Sequence, residues 1–391
     1  MDQFGEIVFA YARNFYLQQV EKLQDKFSAS DSQCLLGGSL SRMEALPMSD
    51  LDVVFLGESD ETLDQKDWNE FDRIDCVKVK DNKQGARMMQ CMTPEAGFLD
   101  SIPITRFENI FYDMFNEDIF LINKLAFEYN FSRLFNDRSE NSDHNLKYSP
   151  GGYRDILLIN WCSRILGDSN YQKDTSEIVH SIRVLYEILG FKIDQDKLLD
   201  AIAYIMIVKS WILITHSHSE TRGFTSLNRI TVQNAIRYKN NPFAKIMTLS
   251  VNETLVRYSL SKKLVGQFLD SLVEFVLKSQ RDKFFTETYV LLNIIQHREV
   301  QNEAVSKHLN SDFYPLIATM ILTKNLDASH LHYLAQRFTN DPGHYYTNRL
   351  ILKNEDTSQE TIEMMLCESR FALDEFTNRR YLDLARKKLA L

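Results

Sequence analysis

Gly38-Ser39-Leu40-Ser41-Arg42-Met43-Glu44-Ala45-Leu46-Pro47-Met48-Ser49-Asp50-Leu51-Asp52-Val53-Val54-Phe55 runs from a glycine turn into an apolar segment that carries two carboxylates. Successive side chains of a strand alternate faces, so Asp50 and Asp52 point the same way. Two converging anions call for a cation. Mg²⁺ takes oxygen ligands and shares them with substrate phosphates, so an Asp-x-Asp pair at a strand edge suits magnesium, or Mn²⁺ in its place, bound with a nucleoside triphosphate. Upstream, Gln33-Cys34-Leu35-Leu36 reads as a short strand. Gly37-Gly38-Ser39 reads as a tight turn whose backbone approaches phosphate oxygens, with the Ser39 hydroxyl as a further donor. Alone, the first half is a loop and the second a solvated turn. Twelve residues apart, Gly38 and Asp50 together point to phosphate chemistry.

The same stretch resembles the polymerase-β-type nucleotidyltransferases, and among them the bacterial PII signal-protein uridylyltransferases, whose motif runs Gly-Gly-x-Gly-Arg-x-Glu and then Pro-x-Ser-Asp-x-Asp. Gly38, Arg42, Glu44, Pro47, Ser49, Asp50 and Asp52 match in place. Ser39 and Ser41 stand where that family has glycines, and Met43 departs too, whereas the wider superfamily uses the Gly-Ser pair. A second run, Asn145-Leu146-Lys147-Tyr148-Ser149-Pro150-Gly151-Gly152-Tyr153-Arg154-Asp155-Ile156 with Trp161 following, is similar to the family's Asn-Leu-Lys-x-x-Pro-Gly-Gly-Leu-Arg-Asp-Ile. Such a run is a turn that opens a helix and offers free N–H groups to an anion. The competing reading is a capped interdomain helix with Arg154 in a salt bridge. Trp211 to Ile236 follows a third family segment loosely, through Arg222, Leu227 and Gln233, so the resemblance spans roughly residues 33 to 240.

Sites of this type use a third carboxylate on a neighbouring strand, to serve a second metal and the base that activates the attacking hydroxyl. Ile74-Asp75-Cys76-Val77-Lys78-Val79 alternates as a strand, which makes Asp75 the choice, with Arg87 matching a downstream family arginine. Asp100 ranks second and Glu95 is the other rival; Phe98-Leu99-Asp100-Ser101-Ile102-Pro103 fits a later helix and turn of the family better.

The resemblance implies a Mg²⁺-dependent transferase that moves a nucleoside monophosphate from ATP or UTP to a hydroxyl, on a protein, releasing pyrophosphate. Asp50, Asp52 and Asp75 then hold the metals, and Asp75 also helps deprotonate the acceptor. Gly38 and Ser39 cradle the phosphates. Arg42, Lys147 and Arg154 are candidates to neutralise phosphate charge, Arg through bidentate contacts and Lys as a point charge. Two other readings fit the same residues: a nucleotide-binding pseudoenzyme that recruits a partner, and a transferase acting on a small molecule or an RNA end.

A chain of 391 residues has material for two or three domains, and 44% hydrophobic with 25% charged residues is ordinary for a globular protein. The net charge of −9 argues against a surface that tracks polynucleotides, since that affinity comes from Lys and Arg. Five cysteines, at 34, 76, 91, 162 and 367, form no Cys-x-x-Cys pair, as expected in a reducing compartment. The first residues lack the basic start and cleavage site of a secretory signal, so the expected location is cytoplasmic. Ala201 to Ile214 is the greasiest stretch, but it carries Lys209 and falls short of the roughly 20 residues of a membrane span. It reads as a buried helix. His216-Ser217-His218 would splay its rings on a helix. No His-Asp dipeptide occurs, so neither the removal domain nor the sensing modules of the uridylyltransferases are expected.

Phe4, Val8, Tyr11, Phe15, Val20, Leu23 and Phe27 recur at helical spacing, residues 33 to 105 hold the strand-like runs, and from Tyr153 onward the pattern is helical. The expected class is α+β: a small polymerase-β-like domain with its N-terminal helix over 1–140, a helical domain over 141–282 and a helical segment over 283–391. In the tail, Lys324-Asn325-Leu326-Asp327-Ala328-Ser329 and Lys353-Asn354-Glu355-Asp356-Thr357-Ser358 share Lys-Asn-x-Asp-x-Ser at a spacing of 29. They mark either a short HEAT-like helical repeat or two helices with similar caps. In the first case the tail is a docking surface for the acceptor and takes no part in the chemistry.

Overall fold

The computed structural model describes residues 4–27, 33–46, 49, 51–56, 74–79, 82–92, 102–103, 118–136, 149–167, 175–215, 251–297, 302–323, 326–341, 344–368, 385–386 and 389. Asp50, Glu95, Asp100, Lys147, His216 and His218 lie outside them, as do Arg222, Leu227 and Gln233.

Helix α1 (Phe4–Phe27) precedes β1 (Gln33–Leu36), the single turn α2 (Gly38–Ser41), β2 (Leu51–Leu56), β3 (Ile74–Val79), α3 (Asn82–Gln90) and β4 (Ile102–Pro103). The strands make one mixed sheet in the order β3-β2-β1-β4. β1 runs antiparallel to β2, with Leu36 opposite Val53, and antiparallel to β4, with Leu36 opposite Ile102. β2 and β3 are parallel, and their register sets Asp52 opposite Asp75. The strand-edge position expected for the Asp-x-Asp pair is therefore corrected: β2 is an inner strand, and Asp52 is its second residue. The physical reason is pairing on both sides, antiparallel with β1 and parallel with β3, which leaves β2 no unpaired edge. Val53, Val54 and Phe55 are all buried, so both faces of the strand are covered as well.

Alternation sorts the two faces. Cys34, Leu36, Val53 and Phe55 pack with Leu40, Met43 and the second half of α1 through Tyr16 and Leu23. Leu35 and Val54 join the larger core, which also takes Phe4, Val8 and Ala12 from the first half of α1. Asp52 shares the face of Val54, which looks toward the helical body.

That body comprises α4 (Asp118–Asn136), α5 (Tyr153–Ile165), α6 (Glu177–Leu189), α7 (Gln195–Thr215) and α8 (Val251–Ser279). α7 lies between α1 and α8, and α5 packs on α4, α6 and α8. Residues 201–208 and Trp211 of α7 are buried on every side, so an all-apolar helix here is a core helix, as expected. No helix among the described residues is long and apolar enough to cross a membrane. The turn into α5 needs Gly151, because its φ is +74° and a Cβ would lie 1.8 Å from the Lys262 carbonyl oxygen of α8.

After a 3₁₀ turn (Arg281–Lys283) come α9 (Thr286–His297), α10 (Asn302–His308), α11 (Tyr314–Leu322), α12 (Ala328–Phe338), α13 (Tyr345–Lys353) and α14 (Gln359–Glu368). α9, α11 and α13 stack in succession, and α12 packs on α13 and α14. α11 and α13 start at 314 and 345, and α12 and α14 at 328 and 359, a spacing of 31 in both cases. The shared Lys-Asn-x-Asp-x-Ser runs, spaced by 29, fall two residues out of step with these helix starts. Asp327 caps α12 by accepting from the Ser329 and His330 amides. At α14 the Ser358 hydroxyl accepts from the Thr361 amide at 3.2 Å, while Asp356 sits in the preceding turn. Asp327 and Ser358 thus precede α12 and α14 as caps, and Leu331, Leu334, Ile362 and Met365 of those helices are all buried.

The tail is joined to the sheet domain. Met92 and Phe127 belong to its core, and the Tyr314 amide donates to the Cys91 carbonyl at 2.9 Å. Arg87, at the end of α3, pairs with Asp312 at 3.0 Å and Asp341 at 3.2 Å. Asn123 of α4 accepts from the Phe285 amide at 2.8 Å and the Thr288 hydroxyl at 2.5 Å.

Candidate functional site

The site begins where β1 gives way to α2. The Gly37 amide donates to the Asp52 carbonyl at 2.8 Å, extending the β1–β2 ladder by one bond. Gly38 then turns with φ +65°, and a Cβ on it would lie 1.6 Å from Asp52 Oδ2. Only glycine suits both the backbone and the carboxylate against it. The turn closes on itself: the Ser41 hydroxyl donates to the Gly38 carbonyl at 2.8 Å, and the Glu44 amide to the Ser39 carbonyl at 2.9 Å. Met43 holds φ at +54°, a left-handed conformation costing a non-glycine residue roughly 1 to 3 kcal/mol and held by the packing around it.

Behind the turn lies a buried polar network. Arg42 is 4% exposed and donates through Nε to Glu44 Oε2 at 2.9 Å. The other carboxylate oxygen of Glu44 accepts from Asn160 Nδ2 of α5 at 2.7 Å. The Arg42 carbonyl accepts from the Glu177 amide, which opens α6. Arg42, expected as a phosphate ligand, is thus placed as a strut between the turn and the helical body. The two motif stretches meet through it. Sequence reasoning singled out Arg42 and matched Glu44 but missed Asn160, whose position in α5 carries no local signal.

Arg154 faces away from this turn. It pairs with Glu128 of α4, Nη2 to Oε1 at 2.8 Å and Nε to Oε2 at 3.2 Å, and lies over the Trp161 ring. Lys124 reaches the same carboxylate at 3.1 Å. Burial pushes the Glu128 pKa up, but the Arg154 and Lys124 charges outweigh it and hold it at about 2. Asp155, next in the motif, receives Arg133 at 2.7 and 2.9 Å and the Gly151 amide at 2.7 Å. Burial nevertheless raises the Asp155 pKa above its usual value, against the pull of Arg133. Arg154 and Asp155 are both engaged in ion pairs at the start of α5.

Of the carboxylates, Asp52 is placed in full, half-buried against Gly38. Asp75 is placed through the backbone of β3, opposite Asp52. Among the described residues, no three His, Cys, Asp or Glu side chains form a group that could hold a metal ion. What is assembled is a glycine turn, a carboxylate lying on it and an adjacent parallel strand bearing a second aspartate at the same level. No family model, curated protein or solved structure matches the chain.

Proposed function

We propose that this protein is a polymerase-β-type nucleotidyltransferase that moves a nucleoside monophosphate from ATP or UTP to a hydroxyl of a protein acceptor in the cytoplasm. One observation carries this reading: the Asp52 carboxylate rests on the Gly38 turn, with Asp75 opposite it on the parallel strand. A glycine backbone beside a carboxylate is what a triphosphate with its cation requires. Asp50, Asp52 and Asp75 would hold magnesium, which when bound neutralises triphosphate charge and polarises the phosphorus under attack.

Gly38 lets the backbone approach the phosphates, and the Ser39 hydroxyl donates to one of their oxygens. The acceptor oxygen bonds to the α-phosphorus, the bond from that phosphorus to the bridging oxygen breaks, and pyrophosphate leaves with the electron pair. Asp75 takes the acceptor proton. Arg42 and Glu44 contribute by holding the turn against α5 and α6, since transfer of this kind depends on positioning and preset charge. The evenly spaced helices α11 to α14 are assigned as a helical repeat with a 31-residue period that presents a surface to the acceptor.

The deciding experiment incubates the purified chain with labelled ATP or UTP, Mg²⁺ and cell lysate. A labelled protein band that disappears with Asp52→Ala supports transfer. Absence of label from both triphosphates, with the wild-type chain folded, overturns it.

A further inference from the structure

The outer face of α8 carries an apolar projection and an acidic groove along one row of side chains. Val256 and Leu260 are the most exposed large apolar residues among those described, at 60% and 63%. Lys263, Gln267, Asp270 and Glu274 continue from them at steps of three and four, all exposed, so the row lies on one side of the helix. Toward its far end the row borders a groove of about 440 Å³, lined by Tyr129 of α4 and by Asp270, Ser271, Val273, Glu274 and Leu277 of α8. Asp270 Oδ1 accepts from Arg133 Nη2 at 2.9 Å and from the Tyr129 hydroxyl at 3.0 Å, which fixes the carboxylate at the groove. Arg133 is shared with the buried Asp155, to which it makes two bonds, so it does not cancel the charge of the groove. Glu274 closes no ion pair among the described residues, and neither does Lys263.

We propose that this face of α8 binds a second copy of the chain, the two helices lying antiparallel about a twofold axis that crosses between Gly266 and Gln267. Val256, Leu260 and Lys263 stand as far from that axis on one side as Leu277, Val273 and Asp270 stand on the other. One rotation therefore lays the exposed apolar pair of each copy on the apolar lining of the other copy's groove, and brings each Lys263 to Asp270 and Glu274 of the other copy. A single patch serves both sides, as an isologous contact requires. The unpaired ammonium and the acidic groove neutralise each other twice over across the axis, and a parallel alignment would set like charges together. Arg133 links Asp270 to Asp155 at the opening of α5, so the contact lies one ion-paired residue away from the second motif. The inference does not depend on the transferase reading.

Sedimentation velocity of the full chain from about 1 to 100 µM reads the association. A contact along one helix face is at the small end of specific interfaces, so the wild-type chain should dimerise with a Kd on the order of micromolar. Leu260→Asp should stay monomeric throughout with Tm nearly unchanged, since that side chain is mostly outside its own fold. Lys263→Glu should raise Kd about tenfold or more, and adding Glu274→Lys to it should recover most of the loss. Adding Glu360→Lys on α14 instead, which restores the same net charge, should not. In a Cys367→Ser background, which removes an exposed thiol, Gln267→Cys should form an intermolecular disulfide on mild oxidation, and Lys278→Cys, far from the axis, should not. A wild-type chain that is monomeric over the whole range overturns the proposal and leaves the face to a different partner. A dimer that Leu260→Asp and Lys263→Glu leave intact overturns it as well, by placing the contact elsewhere. Crosslinking through Lys278→Cys in preference to Gln267→Cys overturns the antiparallel alignment.

Discussion

The carboxylate of Asp52 lies on the α-carbon of Gly38, so close that a methyl group at that position would fall 1.6 Å from Oδ2. The contact ties the glycine turn to the strand that carries the acid, and it makes each dependent on the other. Gly38→Ala should therefore do two kinds of damage. The left-handed φ of +65° costs an alanine roughly 1 to 2 kcal/mol, and the methyl displaces the carboxylate. Transfer should be lost and Tm lowered. In an Asp52→Ala background the same glycine change should cost less, because the displaced group is gone. Equal losses of Tm in the two backgrounds, measured as a double-mutant cycle, would show that the contact has no energetic weight.

Asp52→Asn keeps the shape at this contact and removes the charge. Its Tm should stay within a few degrees of wild type while labelling of the acceptor falls by about a hundredfold or more, the scale of losing a preset charge in a transfer site. Retained labelling would remove Asp52 from the chemistry.

Glu44 is buried between Arg42 and Asn160, so its removal takes the paired carboxylate away from a buried guanidinium. Glu44→Ala should destabilise by about 3 to 5 kcal/mol, the range for breaking a buried ion pair from one side. Asn160→Ala removes one hydrogen bond to a charged group and should cost about 1 to 3 kcal/mol. Urea unfolding of the two variants checks the order. If Asn160→Ala is the more damaging, Arg42 is held by contacts other than Glu44.

These residues also show where sequence reasoning ends. β1, β2, β3, α1 and the buried α7 were legible because periods of 2 and 3.6 are local properties. That a glycine turn and the acids of β2 belong together was legible from their spacing, but the direct contact of Gly38 with Asp52 was not. The inner position of β2 was not, since neighbour order in a sheet depends on segments distant in sequence. Arg42 illustrates a different limit: a basic residue beside a phosphate turn reads as a ligand, and only burial shows it engaged with Glu44. Arg87 meets Asp341 across 254 residues, a pairing with no local trace. The shared runs at 324–329 and 353–358 fall two residues out of step with the helix starts because Asp and Ser are interchangeable as caps.

His344 gives the tail a pH dependence. Its ring stacks on Phe338 at 3.8 Å, and Nδ1 meets the Thr347 hydroxyl at 3.0 Å. Burial lowers its pKa to about 4, against the opposing pull of Asp341, with Arg87, Asp312 and Arg337 also facing it. An unfolded histidine titrates near 6.5. Between pH about 6.5 and 4 the unfolded chain therefore takes up a proton that the folded chain refuses, and stability falls as the pH falls through that window. The integrated effect is on the order of 3 kcal/mol. His344→Gln should flatten this part of the curve of unfolding free energy against pH. An unchanged slope would show that other groups govern it.

The tail was expected to dock an acceptor and take no part in the chemistry, and its contacts change how that must be tested. Removing residues from 283 onward would uncover Met92 and Phe127, strip Asn123 of the Phe285 and Thr288 donors, and leave Arg87 without Asp312 and Asp341. Such a truncation should aggregate, because it exposes the apolar side of a shared core. Point substitutions separate folding from docking. Arg87→Ala touches a pair of which both sides keep solvent exposure, so its cost in stability should be about 1 kcal/mol or less. Tyr333 of α12, 41% exposed, offers a probe of the outer surface, where Tyr333→Ala should leave Tm nearly unchanged. If the repeat presents the acceptor surface, substitutions of exposed side chains along α12 and α14 should reduce labelling of the acceptor while leaving nucleotide affinity intact. A series of such variants with full labelling would assign the tail to support of the sheet domain, through Arg87 and Met92, and remove it from acceptor recognition.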